Sequence, residues 1–381
     1  MEVWFWISLT SLIYVYFGYL GFLKLISIVK KVRNCDTAVY NNCLPIISVI
    51  VAAYNEEKSI GRRVKNLLEQ DYPEDKLEII VASDGSTDRT VEIAKQFEKY
   101  GVKILDFKQN RGRAAVHNDA ARVAKGEIFI FTDAETEFEK DFVKNIIKMY
   151  SNKKYGVGAG ELLFRSRESF GESESFYWKM EKKLRYYEYK LGILPFASGA
   201  CFSIRKELYE QIPLHSDIDN ILPLRAIQKG YKVFYCKDAV AYEYTVSNTK
   251  QLFRKRYRTA LRSMTDILSE LPNLVKKRKW GVIFVLFSHR LLRWWSSFLF
   301  PILFLLNLKL LNKNLAYQIT FACQMIFYIC GLLGFLQKII KLPGPISKIS
   351  NVTYSFILAN IAFIWAIFSW LAGKKIFVYK T

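Results

Sequence analysis

The sequence predicts an α/β domain with a mostly parallel sheet, flanked on both sides by transmembrane α-helices. Between about residues 45 and 250, short apolar runs of strand length alternate with amphipathic segments of helix length. Such alternation is typical of a parallel sheet with helices packed on both faces. Longer apolar stretches concentrate at the two ends of the 381-residue chain and are long enough to cross a bilayer.

The first element is an apolar stretch over residues 3–29. At 1.5 Å per residue a helix of this length spans roughly 40 Å, more than the ~30 Å hydrocarbon core of a bilayer. Only Met1-Glu2 precedes it, whereas a cleaved signal peptide begins with positive charge. The basic residues of 30–33 (KKVR) follow it, so the positive-inside rule predicts an anchor, 1–30, whose C-terminal end is cytoplasmic.

The predicted cytoplasmic domain, 45–250, contains four strand-length apolar runs separated by segments of helical periodicity. In the first helical segment, for example, Ile60, Val64 and Leu67 share one face. The predicted strands are 46–53, 77–82, 102–105 and 128–131, and the predicted helices are 56–69, a segment from Thr87, and 113–124.

Acidic side chains follow three of these strands directly. They lie in the segments Tyr54-Asn55-Glu56, 83–86 (SDGS) and 132–135 (TDAE). Because ligands of parallel sheets bind outside the carboxyl ends of the strands, we expect these acids to line one crevice. The first strand is not followed by G-x-G-x-x-G, which excludes the usual dinucleotide site. A crevice lined with acids would instead need a divalent cation to hold a phosphorylated ligand.

Asp133 and Glu135 allow two interpretations. They could start a helix, with Asp133 or Thr136 as the N-cap and the acids favouring the helix dipole. Alternatively, two carboxylates held this close repel each other unless a cation lies between them or faces them. The convergence of three acid-bearing strand ends favours a site.

The C-terminal part, 294–381, contains about three further candidate spans. Before it, 251–293 is basic, and its last part, 281–293, is apolar but interrupted by charged side chains, which fits an interfacial helix. Three spans after a cytoplasmic domain would place the basic tail from Lys374 outside, against the positive-inside rule. One segment is therefore re-entrant or interfacial, or the tail is an exception. The candidate spans are 294–311, 316–337 and 353–373.

The formal net charge of +21 could indicate nucleic-acid binding, but no nucleic-acid module is recognisable. The basic residues are spread over helices and juxtamembrane stretches, so attraction to anionic membrane lipids explains them more simply. The six cysteines show no C-x-x-C spacing and the three histidines are scattered, which argues against a zinc site and a disulfide framework.

Four strings in this order resemble membrane-bound family 2 glycosyltransferases with the nucleotide-sugar-binding GT-A fold. The layout of domain and membrane helices resembles the hyaluronan- and cellulose-synthase-like branch. The resemblance covers roughly 45–265. The strings are ISVIVAAYNEEKSI (47–60), IIVASDGSTDRT (79–90), GRAAVHNDA (112–120) and FTDAETEF (131–138).

The resemblance implies a donor site for a nucleotide sugar. Tyr54 and Glu56 match the loop that contacts base and ribose, and Asp84 matches an acid that contacts the same part of the donor. Arg113 stands where the family has a lysine facing the diphosphate. Asp133, with Glu135 in a place more often held by aspartate, matches the D-x-D that binds the diphosphate and a metal, here Mg²⁺ or Mn²⁺.

The resemblance also implies an acceptor side. Ser198 and Gly199, in FASGACFSIRKELY (196–209), would lie near the acceptor. In HSDIDNILPLRAIQKGYKV (215–233), the spacing to Arg225 places the family's catalytic base on Asp219, with Asp217 as a rival. The acid that precedes the base in the family is replaced by Ile218. Residues two apart on a helix point in different directions, so only one of the two aspartates is expected to face the acceptor.

The segment FRKRYRTALRS (253–263) stands where processive synthases carry Q-x-x-R-W, with Lys255 for Gln and Arg258-Thr259 for Arg-Trp. Arg258 could contact the donor diphosphate, or this basic helix could contact lipid headgroups. The departure from the motif argues against long processive polymerisation.

These features predict an inverting, metal-dependent transfer from a nucleoside-diphosphate sugar, with UDP favoured by analogy, to a glycan or lipid-linked acceptor. The reaction would take place at the cytoplasmic face of the plasma membrane, for cell-surface or extracellular polysaccharide, in a homo-oligomer or with a synthase partner. The alternative is a non-catalytic nucleotide-sugar-binding subunit or regulator of a synthase complex. The incomplete acid pair at Ile218-Asp219 favours it slightly, and the retention of Asp84, Asp133 and Asp219 counts against it.

Overall fold

The computed structural model describes residues 1–29, 44–165, 171–244, 249–337, 339–340 and 342–377, and of 171–177 it describes the backbone. The basic residues of 30–33 and Lys380 lie outside these ranges. The strands are β1 Ile47–Ala53, β2 Leu77–Asp84, β3 Lys103–Phe107, β4 Ile128–Asp133, β5 Glu137–Phe138, β6 Tyr155–Arg165, β7 Phe202–Arg205 and β8 Lys232–Tyr244. The α-helices are α1 Glu2–Ile13, α2 Tyr19–Val29, α3 Ile60–Leu68, α4 Thr90–Lys95, α5 Arg113–Val123, α6 Phe142–Met149, α7 Gly171–Lys190, α8 Ile218–Gln228, α9 Thr249–Lys276, α10 Trp280–Val285, α11 Leu292–Trp295, α12 Leu299–Leu310, α13 Leu315–Leu336 and α14 Gly344–Leu371.

The strands form one sheet in the order β3-β2-β1-β4-β7-β6-β8-β5. The first four strands of the chain pair in parallel, as the alternation of apolar runs predicts. The sheet as a whole is mixed rather than mostly parallel, because β7 runs antiparallel to both β4 and β6, and β5 runs antiparallel to β8. The sequence pattern did not include these later strands. An antiparallel strand added to a parallel sheet is a common arrangement.

Both faces of the sheet are covered, which explains why its strands are apolar throughout. On β1, Ile50 belongs to the core on one face, while Val49 and Val51 belong to the core on the other. All three side chains are fully buried. The register sets Ala53 beside Ser83 of β2 and Ala52 beside Asp133 of β4. The carboxyl ends of β1, β2 and β4 therefore lie at the same edge, where the sequence predicts a crevice, and the loops after β1 and β2 hydrogen-bond to each other there.

Four helical stretches among the described residues are long and apolar enough to cross a membrane: Glu2–Val29, Trp280–Leu310, Leu315–Leu336 and Gly344–Leu371. The second differs from the predicted division, because 281–293 continues into the following segment as one helical stretch, with a π-helical turn at Leu286–Leu291. Two of the side chains that suggested an interfacial helix, His289 and Arg293, are buried in the protein rather than facing water.

A network of buried charges joins this helical stretch to α7 and α2. The His289 ring lies between two carboxylates, with Nδ1 2.6 Å from Glu188 and Nε2 3.1 Å from Glu181. Arg293 donates to Glu181 at 3.2 Å, and the Tyr19 hydroxyl donates to Glu188 at 3.0 Å. Burial alone would raise the pKa of Glu181, but the neighbouring cations outweigh it and hold that pKa well below its usual range. The network is stable only while its charges remain paired.

Replacement of Glu181 by alanine should therefore destabilise the protein strongly. The substitution leaves several buried cations, including Arg293 and Arg185, without their shared anion, and breaking a buried ion pair costs about 3 kcal/mol or more. We expect a clear fall in the thermal unfolding temperature of the detergent-purified protein. The matched control is Glu92→Ala, which removes an exposed ion pair with Arg89 and should change little. Equal unfolding temperatures for the two variants would contradict this role.

Candidate active site

Asp84, the last residue of β2, organises the loop that leads into α5. Its two carboxylate oxygens accept hydrogen bonds from the backbone N–H groups of Arg111 and Gly112, each at 2.8 Å. Gly85 follows with a φ of +72°, and a Cβ at that position would lie 2.6 Å from the nitrogen of Asn110. Only glycine fits this close approach. The side chain of Asp84 is therefore committed to fixing the start of α5 while it lies at the edge of the crevice.

Arg113, the first residue of α5, links two of the predicted site segments. Its guanidinium forms an ion pair with the carboxylate of Asp133 at the end of β4. The same Nη2 atom donates to the carbonyl oxygen of Gly199 at 3.3 Å. Both charged side chains are about one quarter to one third exposed, at 24% and 32%. The structure thus brings the predicted diphosphate-binding residues and the predicted acceptor loop together through one cation.

Asp219 lies on the other side of the predicted acceptor loop, which contains Gly199. Its Oδ2 accepts a hydrogen bond from the backbone N–H of Gly199 at 3.0 Å, and its backbone carbonyl accepts one from Ala197 at 3.1 Å. Ser198, between them, is buried. Burial, together with the negative charge of Asp217, raises the pKa of Asp219 to about 6, although Arg113 opposes the shift. A carboxylate in this state can accept a proton near neutral pH.

The structure separates the two candidate bases. Asp217 precedes α8 and points to α9, where its Oδ1 lies 3.2 Å from Nε of Arg262. Asp219, in the first turn of α8, points to Gly199. Ile218, which lies between them, is buried in the core. The position at which the resembling family often has a second acid is therefore occupied here by a side chain that packs in the core.

The carboxylates after β1 and β4 form an acidic group. Burial raises the pKa of Glu56 to about 7, and the charges of Glu135 and Asp133 add to the shift while Ser59 opposes it. Glu135 itself is exposed. Tyr54, partly exposed, precedes Asn55, whose φ of 55° turns the chain out of the strand.

The cap interpretation of Asp133 does not hold, because no helix begins there. A tight turn follows β4 and leads into β5, and the next helix, α6, begins at Phe142. Thr136 uses its hydroxyl to donate to Glu243 at 3.1 Å instead of capping a helix.

The carboxylates of Asp133 and Glu135 suit a hard divalent cation, since both offer oxygen ligands. Among the described residues, no group of three or more His, Cys, Asp or Glu side chains could hold a metal ion. A set of two carboxylates fits Mg²⁺ or Mn²⁺ that completes its coordination with water and with the phosphates of a bound ligand. The residues therefore fit a cation that binds together with a diphosphate.

Two residues near the site, the half-buried Glu243 and the buried Arg63, were not identified from the sequence. Glu243, at the end of β8, accepts from Thr136, and burial and the charge of Asp133 raise its pKa while Lys255 opposes the shift. Arg63 donates to the Thr132 hydroxyl at 2.8 Å, and burial lowers its pKa to about 9. Arg63 could have been found, since it falls on the apolar face of its helix. Glu243 gives no such signal, because its partner is 107 residues away in the chain.

Arg258 lies on α9, partly buried, in a turn that packs on the last apolar helix. The preceding residue, Tyr257, donates its hydroxyl to Ser369 of α14 at 3.0 Å. The role of Arg258, at the diphosphate or at lipid headgroups, stays a prediction.

Residues 48–213 match the family model described as "Glycosyl transferase family 2". The chain is 27% identical over 309 residues to "Probable glycosyltransferase YdaM" of Bacillus subtilis, covering 77% of this chain and 72% of that protein. It is 25% identical over 251 residues to "Poly-beta-1,6-N-acetyl-D-glucosamine synthase" of Staphylococcus epidermidis, covering 64% of this chain and 60% of that protein.

Among solved structures, the fold is similar to mannosyltransferase PcManGT from Pyrobaculum calidifontis in complex with GDP-Man and Mn²⁺. The TM-score is 0.71 at 20% identity, and the match covers 95% of this chain and 99% of that one. At this identity the likeness concerns the fold, which is the GT-A fold that the sequence strings predicted. The match of the family model and the aligned relatives lead to one conclusion: residues 48–213 of this chain form a glycosyltransferase domain of family 2.

Proposed function

We propose that the protein transfers a sugar from a nucleoside-diphosphate sugar, in the first instance a UDP-sugar, to an acceptor hydroxyl with inversion at the anomeric carbon. The observation that carries the proposal is the position of Arg113. Its guanidinium contacts the acid proposed for the diphosphate, Asp133, and the loop whose Gly199 N–H contacts the proposed base, Asp219. The side chain of Arg113 thus lies between the residues proposed for the donor and those proposed for the acceptor.

On the donor side, Tyr54, Glu56 and Asp84 would contact base and ribose, and Arg113 would contact the diphosphate. Asp133 and Glu135 would hold Mg²⁺ or Mn²⁺, which when bound neutralises charge that develops on the leaving diphosphate. Arg113 can move from Asp133 to the diphosphate because it is already placed between the two sides. Arg258 would add a second positive charge.

On the acceptor side, Asp219 would take the proton of the acceptor hydroxyl as the oxygen attacks the anomeric carbon. The new carbon–oxygen bond forms as the bond to the diphosphate oxygen breaks, and the diphosphate leaves with that electron pair. One displacement of this kind inverts the anomeric centre and needs no enzyme nucleophile. Ser198 and Gly199 would position the acceptor against the donor.

We propose a glycan or lipid-linked acceptor at the cytoplasmic face of the plasma membrane, in the synthesis of cell-surface or extracellular polysaccharide. The four long apolar helices and the similarity to a polysaccharide synthase support this setting. The protein would act as a homo-oligomer or together with a synthase partner.

The deciding experiment is nucleoside diphosphate release by the detergent-purified protein, with Mg²⁺ or Mn²⁺, a panel of UDP- and GDP-sugars, and membrane lipid extract as acceptor. We expect release with one donor, and a loss of about 100-fold or more in Asp219→Asn, because the proton acceptor is removed. Asp133→Ala should be as inactive, and chelation of divalent cations should abolish release from the wild type.

Asp238→Asn, which changes an aspartate away from the crevice, is the control and should be as active as the wild type. Donor binding without release from any sugar would instead establish a non-catalytic binding subunit. Full activity of Asp219→Asn would reject the assigned base.

Turnover should depend on pH through Asp219. Because the base must be ionised, kcat/KM should fall as the pH drops below about 6, the pKa of this carboxyl. The measurement is kcat/KM at saturating cation between pH 5 and pH 8. A profile flat to pH 5 would contradict the assignment of a buried carboxylate with a raised pKa.

Asp84→Asn should weaken nucleotide binding. The amide offers one acceptor oxygen where two N–H groups now meet two carboxylate oxygens, so one charge-assisted bond is lost and the start of α5 loosens. We expect an increase of roughly 10-fold in the Kd for the nucleoside diphosphate, measured by calorimetry. Asp106→Asn on neighbouring β3, whose carboxylate pairs with Lys108 at the surface, should leave this Kd unchanged.

A further inference from the structure

The start of α8 is held by side chains of α9. Arg262, which is 1% exposed, donates from Nη2 to the carbonyl oxygen of Ser216 at 2.5 Å. Its Nε lies 3.2 Å from Oδ1 of Asp217. One helical turn further along α9, Asp266 accepts the backbone N–H of Asp217 through Oδ2 at 3.1 Å. The two residues that precede α8 are therefore fixed by three contacts to a neighbouring helix.

These contacts take the place of the usual N-terminal cap. Asp217 stands in the N-cap position with an extended backbone, but its side chain makes no hydrogen bond to its own helix. It is turned towards Arg262 instead. Asp219, two residues later, points in a different direction around the helix and reaches Gly199. The direction of Asp219 thus depends on how the start of α8 is oriented.

We propose that Arg262 is a positioning residue for Asp219: by binding Asp217 and the Ser216 carbonyl it orients the first turn of α8 towards the acceptor loop and compensates the second carboxylate beside the base. This inference rests on the proposed function, in which Asp219 is the base. It adds a residue outside the crevice that does not touch donor or acceptor.

The charges around Asp219 support this role. Burial and the negative charge of Asp217 raise the pKa of Asp219, and Arg113 from α5 and Arg185 from α7 oppose the shift. Burial and Asp217 also raise the pKa of Asp266 to about 8, so Asp266 is largely neutral at pH 7. Of the charges beside Asp219, the negative charge of Asp217 is the one that Arg262 compensates through its ion pair. Loss of the arginine exposes Asp219 to an unbalanced negative charge, and loss of the Asp217 charge relieves it.

The test compares Arg262→Met, Arg262→Lys, Asp217→Asn and the double variant Arg262→Met/Asp217→Asn. The measurement is kcat/KM for nucleoside diphosphate release against pH, with the full-length protein, the active sugar nucleotide and membrane lipid extract. Arg262→Met should lower kcat by roughly 100-fold, as expected when a reacting group is misplaced by about an ångström. The acidic limb of its pH profile, which is the pH range over which kcat/KM falls as the pH is lowered, should move to higher pH by roughly one pH unit.

Asp217→Asn should move the limb to lower pH with a smaller loss of kcat, because it keeps the shape of the side chain. The double variant should have its limb near that of Asp217→Asn, and Arg262→Lys should recover part of kcat. Donor affinity, measured as the Kd of the nucleoside diphosphate, should stay unchanged in all four. Lys276→Met, at the exposed end of the same helix, is the matched control and should behave as the wild type.

An unmoved limb in both Arg262→Met and Asp217→Asn would overturn the proposal, whatever the loss of kcat, because a merely structural residue would give that result. If Arg262→Met does not fold, as judged by its unfolding temperature, Asp217→Asn and Arg262→Lys decide by the same criterion. Failure of the proposed function would give a different result from failure of the positioning role. In that case the wild type would release no nucleoside diphosphate, or Asp219→Asn would remain active.

Discussion

The ion pair between Arg113 and Asp133 is the interaction on which the site depends. Parallel strands bring several carboxylates to one edge of the sheet, and carboxylates held together in a partly buried crevice need cations. Arg113 supplies one, and it also contacts Gly199 on the acceptor loop. Its position follows in turn from Asp84, which fixes the backbone immediately before α5. A residue of the second strand thereby orients a charge at the end of the fourth.

The same constraint recurs further from the crevice. Asp217 is compensated by Arg262, and Glu181 is compensated by the histidine and arginines of the long helical stretch Trp280–Leu310. In each case the acid and the cation lie on different elements of the chain. Buried ion pairs of this kind contribute little net stability but make departures from one arrangement costly. The helices around the sheet are therefore held in a defined position relative to the crevice.

The sequence predicted those features of the fold and of the candidate site that depend on local pattern. The apolar runs predicted β1 to β4, and the acids after them predicted a crevice at their carboxyl ends, because side-chain period and parallel pairing determine both. The sequence pattern did not identify side-chain partners that lie far apart along the chain. His289 suggested a helix at the membrane interface because charge in an apolar stretch normally faces water, yet its partners are Glu181 and Glu188. The antiparallel direction of β7 also depends on tertiary packing.

These distant pairings connect the long apolar helical stretch Trp280–Leu310 to the proposed acceptor side of the site. The guanidinium of Arg290 lies 4.4 Å above the ring of Phe196, and the same ring contacts His289 at 5.9 Å between centroids. Phe196 directly precedes the segment whose backbone bonds to Asp219. The proposed donor residues, in contrast, follow strands of the sheet. Under the proposed function, the half of the site that receives the acceptor is thus the half attached to the membrane helices, which suits an acceptor borne by the membrane rather than one that diffuses from solution.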